Sequence, residues 1–466
     1  MEEVSFNNVR LDPKTYYFVY VGEIKAFGLN NFYSRAFAKD HGPRVGAISI
    51  VPDVFDRYPY ENMIVINPEA DQLARRQGRR TALRIPTSRF AVHVSNSPVV
   101  QKLINSLIQR QDQVPVWMFE SKPEFTLHHM PGVNLLGPEA TLAYRLNDKT
   151  WQYETFSYRI PVVDFRICVG VEGLMNYTAS IRGECPDGVF VSYDYSAGGS
   201  ESLITRSQEE VAARFTEPFG RYLVSKYVKH EHDPTVLACV ANENEVYVAG
   251  VADQRIEDGH KFRGSTYPSV LPQSMQEKLI DYTRTVGKTL AGIGYRGVYG
   301  CDFITNADGE IKFIELNPRK QGTTMEFCCT LDQILPPGAP NLMELEYFAV
   351  TRETFPDGTV EPDRSMQLQE TSPIHWGTYN HKVEKTDVYT SVPLPQDRPE
   401  LSVFRRVARG GPGGYVFLEH VGEDILVKPG TFLARIAAVD SSREGMLEEL
   451  AAGEQKLKQS LKQAQL

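Results

Sequence analysis

The chain reads as an α/β protein, mixed α/β and α+β, with more than one domain. Three observations carry this. Over residues 1–140, short apolar runs alternate with polar, helix-like ones. Residues 160–250 are dense in strand-forming runs. Residues 297–317 read as a β-hairpin with carboxylates set among apolar neighbours. Strand–helix alternation argues for a small, largely parallel sheet at the start of the chain.

In chain order, Tyr16–Val21, Val45–Ile50, Met63–Ile66, Phe90–Val94 and Val114–Phe119 are predicted strands. Val99, Val100, Leu103, Ile104, Leu107 and Ile108 recur with helical period. The segment Gly22–Asn31, with Gly22, Gly28 and two Asn, is read as a loop at a strand end, where such folds place ligands. Gly137-Pro138-Glu139 opens a helix that ends near Asn147-Asp148-Lys149. Val162–Val169, Val189–Tyr195, Tyr222–Val228, Val236–Val240 and Val246–Val251 are predicted strands. Ala197–Ser202 is a Gly/Ser loop between them. A helix from Gln273 to Ala291 places Met275, Leu279, Val286 and Leu290 on one face. Beyond the Pro-rich boundary Leu335–Leu342, the stretches Val403–Val407, Gly414–Leu418 and Ile425–Leu433 are read as strands. Phe355–Arg364 and Pro393–Glu400 are read as loops, and Arg443–Leu466 as a polar helix.

The hairpin holds the strongest chemical signal. Val298–Ile304 and Ile311–Leu316 are its strands, and Asn306-Ala307-Asp308-Gly309 its turn, with Gly placed for positive φ. Asp302 sits on one strand and Glu315 on the other. Asn317 follows two positions after Glu315, on the same face. Two carboxylates and an amide oxygen are hard ligands that suit Mg²⁺. Buried in Cys-Asp-Phe and Ile-Glu-Leu without a counter-charge they would cost several kcal/mol, and a cation removes that cost. Arg319 and the helix start at Gln321-Gly322-Thr323-Thr324 add anion-binding character.

Other function classes recede. The 50 basic and 59 acidic side chains give a formal charge of −9, with no Lys/Arg block to mark a nucleic-acid surface. No signal-like start and no long apolar run occur, so a cytoplasmic protein without a membrane partner is expected. Cys168, Cys185, Cys239, Cys301, Cys328 and Cys329 form no CxxC and are expected as buried thiols. Gly292–Gly297 spells GxGxxG, but a helix precedes it and a strand follows, the reverse of a dinucleotide fingerprint. Gly287-Lys288-Thr289 lacks the earlier glycine of a P-loop, since Tyr282 stands there. His230-x-His232 and His128-His129 have no third metal ligand spaced nearby. Asn176-Tyr177-Thr178 matches a glycosylation sequon, which has no use without a secretory route.

With these residues quoted, a family comes into view. Gly297–Thr324, with its Asp-Phe strand, Gly turn and Glu-x-Asn-x-Arg, resembles the nucleotide-binding core of ATP-grasp ligases, and the likeness covers roughly residues 137–330. It implies an ATP-grasp fold in which 1–136 is an N-terminal α/β pre-ATP-grasp domain, 137–335 the nucleotide-binding core, and 336–466 a separate C-terminal mixed domain for substrate or peptide. It implies that Lys149 contacts ATP phosphates and that Gly198, Gly199 and Ser200 form a phosphate loop. Lys226, Tyr227 and Val228 would be the adenine hinge, and Asp233 the ribose acid. Asp302, Glu315 and Asn317 would hold Mg²⁺, two ions in all, with Mn²⁺ as a substitute. Arg319 and Arg255 would act in catalysis, and Glu257–Tyr267 would be a mobile loop near the acyl acceptor. The second phosphate lysine of the family is missing, with Ser192 or Tyr193 at its place, and Ser225 replaces the hinge glutamate.

The implied activity is ATP-dependent joining of a carboxylic acid to an amine through an acyl phosphate. The layout is similar to pheganomycin-type peptide ligases, which join an amino-acid-like starter to a peptide N-terminus in antibiotic biosynthesis. The alternative is a non-catalytic ATP-binding module with an interaction domain. A homodimer is the default expectation for assembly.

Overall fold

The computed structural model describes residues 5–6, 9–54, 61–195, 202–257, 261–390, 399–419, 421, 424–460 and 462–463. The first layer is the parallel sheet expected of residues 1–136. Its strands lie in the order Met63–Val65, Val45–Val51, Tyr16–Val21, Val114–Met118, Val133–Leu136, all parallel. Pro98–Gln111 packs on it as a helix; Ser97 caps it by accepting from the Val100 N–H, and Pro98 occupies the first turn. Its buried face is Val100, Leu103, Ile104 and Leu107, the predicted periodicity.

The centre is an eight-stranded antiparallel sheet. Its order is Ile311–Asn317, Gly297–Thr305, Pro234–Asn242, Glu245–Glu257, Lys261–Tyr267, His375–Lys382, Phe432–Asp440, Gly414–Glu419. The long helix Gln273–Gly292 buries Leu279, Val286 and Leu290 against its strands. A four-stranded sheet, Ser202–Thr205, Val189–Tyr193, Arg221–Lys226, Phe165–Val169, forms a smaller lobe with the helix Gly170–Ile181. The cleft between that lobe and the central sheet is where the hairpin faces.

Residues 336–466 add three strands to the central sheet, and three short ones join Thr81–Ala82 in a small four-stranded sheet. His375–Lys382 pairs with Lys261–Tyr267 through Thr266↔Gly377 and Tyr267↔Trp376, so the hydrogen-bonded ladder crosses the expected boundary. Helix Leu342–Arg352 buries Leu342, Met343, Leu345 and Ala349 in the same core as Phe18, Tyr33 and Trp376.

Several local expectations change. Phe90–Val94 lies in the helix Thr87–Ser95, and Val403–Val407 in the helix Pro399–Ala408. In both, apolar residues also recur at helical spacing, and packing on one face decides the outcome. The segment after Gly22 is a 3₁₀ turn, Ile24–Leu29, leading into the helix Asn30–His41. All six cysteines are buried free thiols. No described helix is long and apolar enough to cross a membrane.

Candidate active site

The hairpin forms as expected, Gly297–Thr305 against Ile311–Asn317, with Gly309 at φ 76° in the turn. Its register sets Asp302 opposite Glu315 and Gly300 opposite Asn317. Asp302 is buried and well partnered. Its Oδ1 accepts from Thr235 Oγ1 at 2.6 Å and from Gln321 Nε2 at 3.1 Å, and its Oδ2 accepts from Asn317 Nδ2 at 2.8 Å. Burial first, and then the charge of Glu315, push its carboxyl up to about 6. Glu315 has Lys149 Nζ 3.3 Å from its Oε1. Two facing carboxylates, one of them buried and costlier to ionise for its neighbour's charge, form with the amide beside them a donor set that a divalent cation fits. Asn317 Oδ1 accepts from Arg319 Nη2 at 2.8 Å, so serving as an oxygen ligand requires the amide to exchange partners. Among the described residues no cluster of three or more His, Cys, Asp or Glu that could hold a metal occurs, so the donor set here is two carboxylates and an amide.

Asp302 and Glu315 stand where two arms of one cleft meet. The first arm, of about 180 Å³, is lined by Lys149, Tyr227, Val228, Asp233 and the apolar Leu223 and Ile304. Lys149 opens a helix capped by Asp148, whose carboxylate accepts from Thr150 N–H at 2.8 Å. Lys226 also borders this arm, but its ammonium turns outward to Glu184 at 3.0 Å, which leaves its backbone to face the cavity. His230 was not anticipated there. Its Nδ1 lies 2.8 Å from Val228 O and its Nε2 2.9 Å from Asp233 Oδ1, bracing Val228 against Asp233. Burial opposes its charge, but the bonds to Asp233 and Val228 outweigh it and raise its pKa.

The second arm, of about 220 Å³, carries Asn317, Arg319, Gln321 and Thr323 on one side. Lys25 and Phe119 of the N-terminal layer, and Asn380, Phe432 and Arg435 of the C-terminal strands, close it. Thr235 was also missed, as was the bond to Asp302 from Gln321, which the sequence placed only in the helix start. A signal for Gln321 was present: Gly300 interrupts a strand, and a Cβ there would lie 2.0 Å from the Gln321 amide carbon. The loop after the hairpin is tied down by Lys320, which is 1% exposed. Lys320 Nζ lies 2.7 Å from Glu346 Oε2 and 3.3 Å from Met118 O, and Glu346 also accepts from Tyr33 Oη and from the Val298 N–H.

Arg255 is a correction. Gln254 faces the cleft, so the alternation of the strand turns Arg255 to the other face. There it pairs with Glu454 at 2.9 Å and lies over Tyr379. The expected mobile loop Glu257–Tyr267 is corrected in part: Lys261–Tyr267 is a strand, and Gly264 packs so close to Thr378 that a Cβ would meet its carbonyl oxygen at 2.0 Å. Gly198, Gly199 and Ser200 lie outside the described residues. At the place of the missing lysine, Ser192 shares a strand face with the cleft-lining Phe190, whereas Tyr193 packs into the core of the small lobe.

The fold is shared with known proteins. Residues 176–323 match the ATP-grasp domain family, and the chain has the ATP-grasp fold. Over 96% of its length it is similar to a biotin carboxylase from Campylobacter jejuni, with TM-score 0.61, 14% identity and 92% of that chain covered. A carboxyaminoimidazole ribonucleotide synthase from Aspergillus clavatus aligns over 96% of this chain and 100% of its own, with TM-score 0.57 and 12% identity. Among curated relatives, an L-propargylglycine–L-glutamate ligase of Streptantibioticus cattleyicolor is 26% identical over 125 residues, 27% of this chain and 25% of that protein. A butirosin acyl-carrier protein–L-glutamate ligase of Niallia circulans is 30% identical over 92 residues, 20% of this chain and 22% of that protein. The matches thus span about a quarter of those relatives' lengths.

Proposed function

We propose that the chain is an ATP-dependent, ADP-forming carboxylate–amine ligase that makes an amide bond through an acyl phosphate. The observation that carries this is the placement of Asp302 and Glu315 on the shared edge of the two arms. Phosphoryl transfer needs a nucleotide on one side, an acid on the other, and charge control between them.

In this reading Tyr227, Val228 and Asp233 seat the nucleoside and Lys149 the phosphates. Asp302, Glu315 and Asn317 would hold Mg²⁺, which supplies neutralisation of the phosphate charge that repels an incoming carboxylate. Arg319 sits beside Asn317 on the substrate side, placed to stabilise the acyl phosphate and the oxyanion of the tetrahedral intermediate. The second arm is walled by the N-terminal layer, the hairpin loop and the C-terminal strands, which limits the water that would hydrolyse the acyl phosphate. The two curated relatives are named as ligases that join L-glutamate to L-propargylglycine and to the butirosin acyl-carrier protein, which supports a ligase acting on an amino acid. By its layout the chain joins a non-proteinogenic amino acid to a peptide N-terminus in natural-product biosynthesis.

The test is turnover with ATP, Mg²⁺ and a panel of acids and amines. ADP should form only with an acid, and phosphate release should run to completion only with an amine. ATP hydrolysis indifferent to both removes the ligase reading. A second reading, a non-catalytic ATP-binding module, is favoured by Ser192 in place of a phosphate lysine; nucleotide binding without turnover on any pair would select it.

A further inference from the structure

Past Arg319 the second arm runs to Phe432, a residue it shares with a small recess below the N-terminal layer. Three cations from distant stretches crowd this one ring. Lys25 Nζ lies 4.6 Å, Lys382 Nζ 4.9 Å and the Arg84 guanidinium carbon 5.5 Å from its centroid. A ring face attracts each cation, but it cannot offset the mutual repulsion of three charges at this range in a partly dried site. Glu23 pairs with two of them, Lys25 at 2.5 Å and Arg84 at 3.6 Å. Lys382 has no ion-pair partner among the described residues, although it is only partly exposed. Burial, and then the charges of Arg84 and Lys25, hold its ammonium below the ordinary lysine pKa. The free protein therefore loses stability by keeping Lys382 charged here at neutral pH.

The adjoining wall has unused hydrogen-bonding capacity as well. Ser265 Oγ and Thr323 Oγ1 belong to residues 1% and 3% exposed, both residues line the arm, and neither atom has a hydrogen-bond partner in the structure. Asn380 reaches the same arm, and Lys382, past a register shift between His381 and Lys382, lies over the Phe432 ring at its end.

We propose that this end of the cleft binds a second carboxylate of the substrate, one that is not activated, held by Lys25 and Lys382. The site would thereby select a dicarboxylic amino acid, or a peptide bearing an acidic residue, over its neutral isostere. The inference rests on the ligase reading only in calling the ligand a substrate, and its test uses no turnover, so the two can fail separately.

The full chain, with ADP and Mg²⁺, is titrated calorimetrically with matched pairs: L-glutamate and L-glutamine, L-aspartate and L-asparagine, Ala-Glu and Ala-Gln. The charged member of at least one pair should bind about tenfold tighter or more, the size of one charge-assisted hydrogen bond. Lys382→Met should abolish that preference and raise the melting temperature of the ligand-free protein. Preference below about twofold in every pair, absence of binding by all six probes, or preference that survives both Lys382→Met and Lys25→Met overturns the proposal. So does equally tight binding of inorganic phosphate, which would mark an indiscriminate anion pocket, or a lowered melting temperature in Lys382→Met, which would make the lysine structural.

Discussion

The two arms of the cleft are built in opposite ways. The first arm, which in the proposed reading is the nucleotide arm, draws its lining from one continuous part of the chain, Lys149 to Glu315, most of it on paired strands. The second, the substrate arm of that reading, adds to the central strands Lys25, Phe119, the loop Arg319–Thr323, and Asn380, Phe432 and Arg435. A contiguous arm can keep one chemistry while the rest of the chain changes. An arm gathered from three layers makes its specificity depend on how those layers are held together.

Substitutions should separate the arms. Glu315 lies on both, so Glu315→Gln should lower ADP formation by more than about 10³-fold, beyond the ~10–100-fold typical of groups that only support a metal ligand. The readout is single-turnover ADP formation, with the fold checked by circular dichroism. Lys320 ties the substrate loop to the N-terminal layer. Lys320→Met leaves Glu346 buried without its cation and should cost ~3–5 kcal/mol of stability by urea unfolding, while Lys320→Met with Glu346→Gln recovers most of it. An undiminished single variant would mean that the layers do not depend on this pair.

Arg319 belongs to the substrate arm alone. Arg319→Ala should cost ~10²–10³-fold in kcat with ATP affinity held within about twofold. Arg255→Ala, on the opposite face, should leave kcat within about twofold; a large loss there would restore Arg255 to the site. The smallest effect belongs to the nucleotide arm. The folded pKa of His230 is raised, so its stabilisation is complete below the unfolded value of about 6.5 and fades as pH climbs through the folded value. His230→Gln should therefore reduce the extra stability measured at about pH 6 relative to about pH 8, and an unchanged pH profile would discount the His230–Asp233 bond.

The same division explains what could be read in the sequence. Asp302 and Glu315 were legible because a hairpin with a Gly turn fixes which residues face each other, and the structure keeps that register. Lys149, Tyr227, Val228 and Asp233 were grouped by their order along the chain, and the structure gathers them in one arm. Arg255 misled because its place depends on which face of a long strand points inward, and a β-bulge after Arg255 shifts that strand's pairing. His375–Lys382 gave no strand signal: HWGTYNHK lacks apolar alternation, and its polar groups are buried against neighbouring strands. With that strand unseen, Asn380 could not be placed near Phe119 nor Lys382 near Phe432, and the substrate arm had no sequence signature.

The ladder through Thr266↔Gly377 and Tyr267↔Trp376 has a practical meaning. A protein engineer who wished to change the acceptor by exchanging everything after residue 336 would cut through a continuous sheet and expose unpaired edges on both sides. Redesign of selectivity here calls for point changes on the inward faces of existing strands, at Asn380, Lys382 and Phe432, with the scaffold left whole.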